Sequence, residues 1–203
     1  MSFKNPAART TTTRGGEQAE APDTWLFLRR WAANPLRMGS IVPSSPALAR
    51  RVAAALEARP DEVILELGAG TGAITRGLLA AGIRPERLAV VEIEAPLAAR
   101  LRTAFPGVTV LEGDARRPDL IPPRLRGRIG DIVCGIPLVL LPLAEQRRFI
   151  NAMQATAPGR GFLHYSYCAT SPLPARKHGL VGRRAAWTPA NFPPASVWRY
   201  RPV

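Results

Sequence analysis

One stretch of the chain gathers residues whose types and spacing could do chemistry: Val63-Ile64-Leu65-Glu66-Leu67-Gly68-Ala69-Gly70-Thr71-Gly72. An apolar run of strand length carries one carboxylate, Glu66, near its end. Three glycines follow at alternate positions, and Ala73-Ile74-Thr75-Arg76-Gly77-Leu78-Leu79 then reads as a helix. Strand, glycine turn and helix in that order open a doubly wound sheet that binds a nucleotide-like ligand. At Gly68, Gly70 and Gly72 the backbone can approach such a ligand without a Cβ in the way. Read from Gly68, the pattern Gly-x-Gly-x-x-Ala falls within the tolerance of a dinucleotide fingerprint. Glu66 would then meet a pyrophosphate with a negative charge. A cationic ligand, such as the amino group of S-adenosylmethionine, would welcome it.

The next candidate groups sit where later strands end. Leu88-Ala89-Val90-Val91-Glu92-Ile93-Glu94 reads as a second buried strand, and Glu92 lies 20 residues past Gly72. That is the place of the acid that accepts hydrogen bonds from ribose hydroxyls. Glu94 takes the role if the strand ends later, and a helix-capping acid is the structural alternative. A helix through Leu97, Leu101 and Ala104 follows. Val108-Thr109-Val110-Leu111-Glu112 is a third strand, ending in Gly113-Asp114-Ala115. Asp114 there suits an adenine amino group or a solvated turn equally. Residues 116–130 read as an Arg- and Pro-rich loop. Asp131-Ile132-Val133-Cys134-Gly135-Ile136-Pro137-Leu138 is a fourth strand running into a Gly-x-Pro turn. Ligands of open α/β sheets bind at the carboxyl ends of strands, where Gly68, Glu92, Asp114 and Gly135 all fall. A helix over Ala144–Thr156 turns Phe149, Ile150 and Met153 inward. Gly161-Phe162-Leu163-His164-Tyr165-Ser166-Tyr167 is the fifth strand. Strand alternation puts Tyr165 and Tyr167 on one face, His164 and Ser166 on the other. His164 could be a general base, since its unperturbed pKa lies near neutrality; a packed or surface histidine is the plain alternative.

The flanking segments must position these groups. Residues 1–23 are polar, with a Thr run and no apolar signal-peptide core, and read as a disordered tail. Asp23 can cap a short helix, Trp25-Leu26-Phe27-Leu28-Arg29-Arg30-Trp31-Ala32-Ala33-Asn34, with Arg37 beyond it. Aromatics beside arginines, with no acid between Thr24 and Arg51, suit the interface of an anionic bilayer. A lid packed on the core is the other reading. Met38-Gly39-Ser40-Ile41-Val42-Pro43-Ser44-Ser45 is a turn-rich link. Ser45 caps a helix with Pro46 at its first position and a stripe through Leu48, Val52, Ala55 and Leu56, stopping near Arg59-Pro60. Residues 171–178 form a Pro-rich basic loop. Residues 179–187 and 196–202 form a closing hairpin, joined by Pro189-Ala190-Asn191-Phe192-Pro193-Pro194.

With 203 residues, one domain plus appendages is expected. The formal net charge of +13 points to an anionic partner: nucleic acid, a membrane surface or an acidic protein. The Ala- and Arg-rich composition offers genomic bias as a competing cause. The two cysteines, Cys134 and Cys168, form neither a disulfide framework nor a metal motif, and the expected compartment is cytosolic. No apolar run reaches the roughly 18 residues of a transmembrane helix.

Glu-Leu-Gly-Ala-Gly-Thr-Gly at 66–72, the strand-two acid, the strand-three Asp and the Gly-x-Pro turn together resemble the class I S-adenosylmethionine-dependent methyltransferases. Ribosomal RNA adenine dimethyltransferases share this motif order. They place an Asn-x-Pro-aromatic turn after strand four, whereas Cys134-Gly135-Ile136-Pro137-Leu138 has neither that Asn nor the aromatic, and no C-terminal helical domain like theirs is expected within these residues. Over residues 24–203 the chain resembles the bacterial phospholipid N-methyltransferases. That match rests on the aromatic-basic helix, Gly39–Ser45, Glu66–Gly72, the Gly135-Ile136-Pro137 turn, the Tyr165/Tyr167 strand and Asn191-Phe192-Pro193-Pro194-Ala195.

The resemblance implies a Rossmann-like α/β fold: a seven-stranded, mostly parallel sheet with helices on both faces and an antiparallel closing hairpin. It divides the chain into a tail (1–23), a membrane-binding helix (24–37) and a methyltransferase domain (38–203). The implied cofactor is S-adenosyl-L-methionine, giving S-adenosyl-L-homocysteine. Its expected site comprises Gly39, Ser40, Glu66, Gly68, Gly70, Thr71, Gly72, Glu92, Ile93, Asp114, Ala115 and Cys134, and no metal. The implied substrate is phosphatidylethanolamine, methylated towards phosphatidylcholine, with Tyr167, Tyr165, His164, Gly135, Ile136 and Pro137 around the reacting nitrogen. Tyrosine hydroxyls can orient a neutral amine, and their rings can hold a methylated cation. Trp25, Phe27, Leu28, Arg29, Arg30, Trp31 and Arg37 would hold the enzyme on anionic phospholipid at the cytoplasmic face of the inner membrane, with no nucleic-acid partner. An RNA or small-amine methyltransferase, and a non-catalytic binding module on the same fold, are the alternatives.

Overall fold

The computed structural model describes residues 45–168, 170–189 and 194–203. Ser45 caps the first helix: its hydroxyl accepts from the Leu48 N–H at 3.2 Å, and Pro46 opens α1 (Pro46–Ala54). The chain then alternates strand and helix: β1 (Val63–Leu67), α2 (Ala73–Ala80), β2 (Leu88–Glu92), α3 (Ala95–Ala104) and β3 (Thr109–Glu112). After short turns come β4 (Ile129–Cys134), α4 (Leu143–Thr156), β5 (Phe162–Ser166), β6 (Leu180–Thr188) and β7 (Ala195–Pro202). The described residues form one sheet in the order β3-β2-β1-β4-β5-β7-β6. β1 to β5 pair parallel, whereas β7 runs antiparallel to both β5 and β6. The fold is therefore the Rossmann-like α/β arrangement expected, with the hairpin closing the sheet through its one reversed strand.

Strand parity builds two cores. Val63, Leu65 and Leu67 of β1 face Phe149, Ile150 and Met153 of α4, together with Ile132, Cys134 and Phe162. On the opposite face, Ile64, Val133 and Leu163 pack on Leu48, Ala49 and Val52 of α1 and Ile74 and Leu78 of α2. Each such aliphatic side chain, fully buried, contributes about 1.5–3 kcal/mol.

Element ends differ from expectation for identifiable reasons. Helix α1 stops at Ala54, short of Arg59. Beyond it, the Ala55 carbonyl accepts from Arg199 and the Glu57 N–H donates to Asp131 at 2.9 Å, so the chain leaves helical geometry to meet β4 and β7. Strand β4 begins earlier than Asp131 and ends at Cys134, because the Gly135-Ile136-Pro137 turn leaves the sheet. The 171–178 loop closes in a helical turn at Ala175–His178.

Candidate active site

The carboxyl ends of β1, β4 and β5 converge on two glycines. Gly68, at φ +74°, takes a backbone conformation that L residues rarely adopt; a Cβ there would also come within 2.9 Å of Ile136 Cγ1. Its N–H donates to the Val91 carbonyl at 2.9 Å. Gly135 donates to the Leu67 carbonyl at 2.8 Å. A Cβ on Gly135 would collide with the Tyr165 hydroxyl and stand 3.0 Å from the Gly68 carbonyl oxygen. The glycine loop, the Gly135-Ile136-Pro137 turn and Tyr165 thus form one surface. Gly70 faces open space, and a Cβ on it would meet nothing within 4 Å. Gly72 serves another purpose: a Cβ there would strike Leu101 of α3 and Phe105 just beyond it, so this glycine permits packing. Thr71 is exposed at the loop's tip.

Glu66 is 1% exposed on the β1 face covered by α2. Its Oε2 accepts from Thr75 Oγ1 at 2.7 Å, and its Oε1 is buried with no partner among the described residues. Burial chiefly, with the nearby Glu92 charge adding, pushes its pKa up to about 7. Glu92 is turned back on the backbone. Its Oε2 accepts from Gly70 N–H at 2.7 Å, and its Oε1 accepts from the N–H groups of Ile93 and Glu94 at 2.9 and 3.0 Å. It fastens the glycine loop to the start of α3, where its charge also suits the helix N-terminus. Three of its roughly four acceptor positions are used, which leaves room for one ribose hydroxyl.

Asp114 is taken by Arg116. The Arg116 backbone N–H and Nε reach Oδ1 at 2.8 and 3.1 Å, and Nε and Nη2 reach Oδ2 at 2.9 and 2.6 Å. Arg116 Nη1 continues to Glu145 at 2.8 Å. While that pairing holds, Asp114 has no acceptor position left for an adenine amine. Ala115 packs, half-buried, against the α4-side core.

Tyr165 and His164 separate as strand alternation requires, whereas Tyr167 lies one residue past the end of β5 and not within it. Tyr165 and Tyr167 pack with the α1- and α2-side core, and His164 is buried on the other side of the sheet. Burial pushes the His164 pKa down to about 4, so the ring is neutral near pH 7. Its Nδ1 lies 3.0 Å from the Cys134 carbonyl. It is therefore neither near the tyrosine face nor open to solvent as a base would be. The buried Cys134 thiol is pushed up to about 12 by desolvation. Gly39, Ser40 and the proposed membrane residues Trp25, Phe27, Leu28, Arg29, Arg30, Trp31 and Arg37 lie outside the described residues.

Comparison with known proteins supplies the family. The chain is 32% identical over 187 residues to the ornithine lipid N-methyltransferase of Singulisphaera acidiphila, covering 89% of this chain and 97% of that protein. It belongs to that enzyme's family of class I methyltransferases. Its cofactor is S-adenosylmethionine. Ribosomal RNA small subunit methyltransferase A of Chlorobium phaeobacteroides is 41% identical over only 73 residues, or 36% of this chain and 26% of that one. A solved 1,6-didemethyltoxoflavin-N1-methyltransferase of Burkholderia thailandensis, with bound S-adenosylhomocysteine, shares the fold. It matches at TM-score 0.63 and 16% identity, over 91% of each chain. No protein-family model matches the chain.

The methyltransferase's own residues fit this cofactor. The unpartnered Glu66 oxygen suits an ammonium group, which would also favour the ionised carboxylate. Gly70 offers open backbone, and Glu92 keeps one acceptor position. Sequence reading missed Thr75, Arg116 and Glu145. The hydroxyl three residues into a helix beside a buried acid was a usable signal for Thr75; Arg116 and Glu145 lie 29 residues apart and gave none.

Proposed function

We propose that this methyltransferase methylates the amine nitrogen of a membrane lipid at the bilayer surface. The observation that carries the reading is the nearly full-length similarity to a lipid N-methyltransferase, against similarity to ribosomal RNA small subunit methyltransferases over 32–45% of the chain. The molecular surface supports it. Val139, Leu140 and Leu143, directly after the Gly135-Ile136-Pro137 turn, are 41%, 51% and 45% exposed, and Trp187 near the end of β6 is 52% exposed. The sequence has no Asp or Glu after Glu145, while Arg147, Arg176, Lys177 and Arg183 are exposed. Exposed apolar side chains together with an excess of exposed basic ones suit anionic lipid. Phosphatidylethanolamine is the substrate that the sequence motifs favour. The lipid relative favours an ornithine-bearing lipid as the second reading, and both present an amine.

Bound S-adenosylmethionine supplies a sulfonium methyl group to an attacking amine. Glu66, the Gly68–Gly72 loop and Glu92 hold it. The Gly135-Ile136-Pro137 turn and Tyr165 wall the acceptor side, close against Gly68. The Tyr165 and Tyr167 hydroxyls orient the neutral amine, and their rings attract the methylated cation by about 0.5–2 kcal/mol each. The amine's proton leaves to solvent, since His164 on β5 is buried on the sheet face opposite the tyrosines. The test is incubation with methyl-labelled cofactor and vesicles containing either lipid, followed by chromatography. Label should enter one lipid amine; label entering ribosomal RNA and neither lipid sinks the proposal.

A further inference from the structure

The buried histidine behind the site has no part in the chemistry described above. His164 is 1% exposed and stands opposite Cys134 in the parallel β4–β5 pair. Its Nδ1 is 3.0 Å from the Cys134 carbonyl oxygen. A carbonyl only accepts, so Nδ1 carries the proton and donates. Nε2 is then left with a lone pair, and it is buried without a partner among the described residues. Packing alone does not account for such a residue. A leucine or phenylalanine would fill the space without stranding a polar atom.

What the donor holds is the peptide between Cys134 and Gly135. The N–H of that same peptide donates to the Leu67 carbonyl at 2.8 Å. Its C=O is gripped from β5 by His164, and its N–H from β1. On the far side, Gly135 meets the Tyr165 hydroxyl and stands beside the Gly68 carbonyl. Tilting the peptide would carry the turn into Tyr165 or away from the glycine loop.

We propose that His164 is a positioning residue for methyl transfer: through its Nδ1–H it fixes the plane of the Cys134–Gly135 peptide, and so the pose of the Gly135-Ile136-Pro137 turn against Gly68 and Tyr165. It acts from behind the strand, on the face opposite the tyrosines. The proposal rests on the reading that this turn borders the reacting nitrogen.

Two measurements on the full chain test it. Long-range nitrogen–carbon correlation NMR of the wild type should show the Nδ1–H tautomer at neutral pH; an Nε2–H signal overturns the proposal. Methyl transfer is then compared in His164→Asn, which returns an N–H near the Nδ1 position, His164→Gln, which places it one bond further out, and His164→Leu. Thermal stability and cofactor Kd are recorded for each. In His164→Leu and His164→Gln, kcat should fall by on the order of 10–100-fold with cofactor Kd within about twofold, as expected for small misplacement of reacting groups. His164→Asn should recover most of the rate. Equal rates for folded Asn and Gln variants overturn the proposal, and so does a folded Leu variant with full kcat. If His164→Leu does not fold, the Asn–Gln comparison decides. Wild type that transfers label to no lipid refutes the lipid reading alone, because the rate ratios are then taken with whatever amine it does accept.

Discussion

The hydroxyl of Tyr165 occupies the place where a side chain on Gly135 would begin. A Cβ there would lie 3.0 Å from Tyr165 Cζ and 3.0 Å from the Gly68 carbonyl oxygen, besides striking the hydroxyl itself. Gly135→Ala must therefore displace the tyrosine, the turn or the glycine loop. Overpacking of this kind costs roughly 1–3 kcal/mol of stability. The larger effect should be on rate, because an ångström of misplacement costs on the order of 100-fold. Steady-state kinetics should show kcat falling at least tenfold more than thermal stability explains. Tyr165→Phe at Gly135→Ala should recover part of the lost stability, since it removes the atom in conflict, but not the rate, because the hydroxyl that orients the amine is gone.

Glu66 gives a pH signature. Its pKa is raised from 4.5 to about 7, chiefly by burial. The folded state therefore holds a proton that the unfolded state releases earlier. Its contribution to stability is fully present below about pH 4.5 and is lost as pH rises through about 7. The span corresponds to about 3 kcal/mol at most. Glu66→Gln should match wild type in denaturant midpoint at pH 4.5 and exceed it at pH 8, in the absence of cofactor. The same variant should bind S-adenosylmethionine more weakly at pH 8. A wild-type advantage at pH 8 without cofactor would refute the assignment.

The sequence displays these features unequally. Strand β1, its glycine loop and the order of later strands are local patterns of apolar runs and turn residues, so they can be read directly. The opposed faces of Tyr165 and His164 follow from strand alternation. What Asp114 and Glu92 bind does not. Asp114 meets Arg116 by a local loop fold, and Glu92 meets Gly70 across 22 residues. Gly72 looks like part of the ligand loop, yet Phe105, just past the end of α3, demands it. Where α1 stops depends on Asp131 and Arg199, far along the chain. Such contacts require the assembled sheet.

The exposed apolar side chains yield a membrane prediction. Leu140 and Trp187, at 51% and 52% exposure, would bury only part of their surface in a bilayer interface. Full burial is worth about 1.5–3 kcal/mol each, so roughly half is expected here. Leu140→Ser with Trp187→Ser should weaken partitioning onto anionic vesicles about 10-fold, with cofactor Kd unchanged. Raising salt should weaken wild type and variant in parallel, because it screens the basic residues alone. Co-sedimentation that is insensitive to both changes would place membrane contact elsewhere.

The last prediction concerns Asp131 and Arg199, which clamp the sheet near the amino end of β4. Arg199 Nη1 and Nη2 reach the two Asp131 oxygens at 2.6 and 2.8 Å, with side chains 4% and 0% exposed. Asp131 also accepts from the N–H groups of Glu57 and Ile132 at 2.9 and 3.0 Å, while Arg199 donates to Ala55. The group thus joins β4, β7 and the chain leaving α1. Arg199→Met removes the cation and strands a buried carboxylate on two backbone donors. Breaking a buried pair from one side costs about 3–5 kcal/mol. At roughly 2–4 °C per kcal/mol for a chain of this size, the melting temperature should fall by about 10 °C. Asp131→Asn with Arg199→Met should melt above the single Arg199→Met variant, because the stranded charge is gone while the amide oxygen can still accept. The clamp lies away from the Gly68–Gly135 surface, so cofactor Kd of the folded Arg199→Met protein at 20 °C should match wild type. A double variant less stable than Arg199→Met would mean that the cost comes from lost packing of the arginine stem and not from the stranded carboxylate.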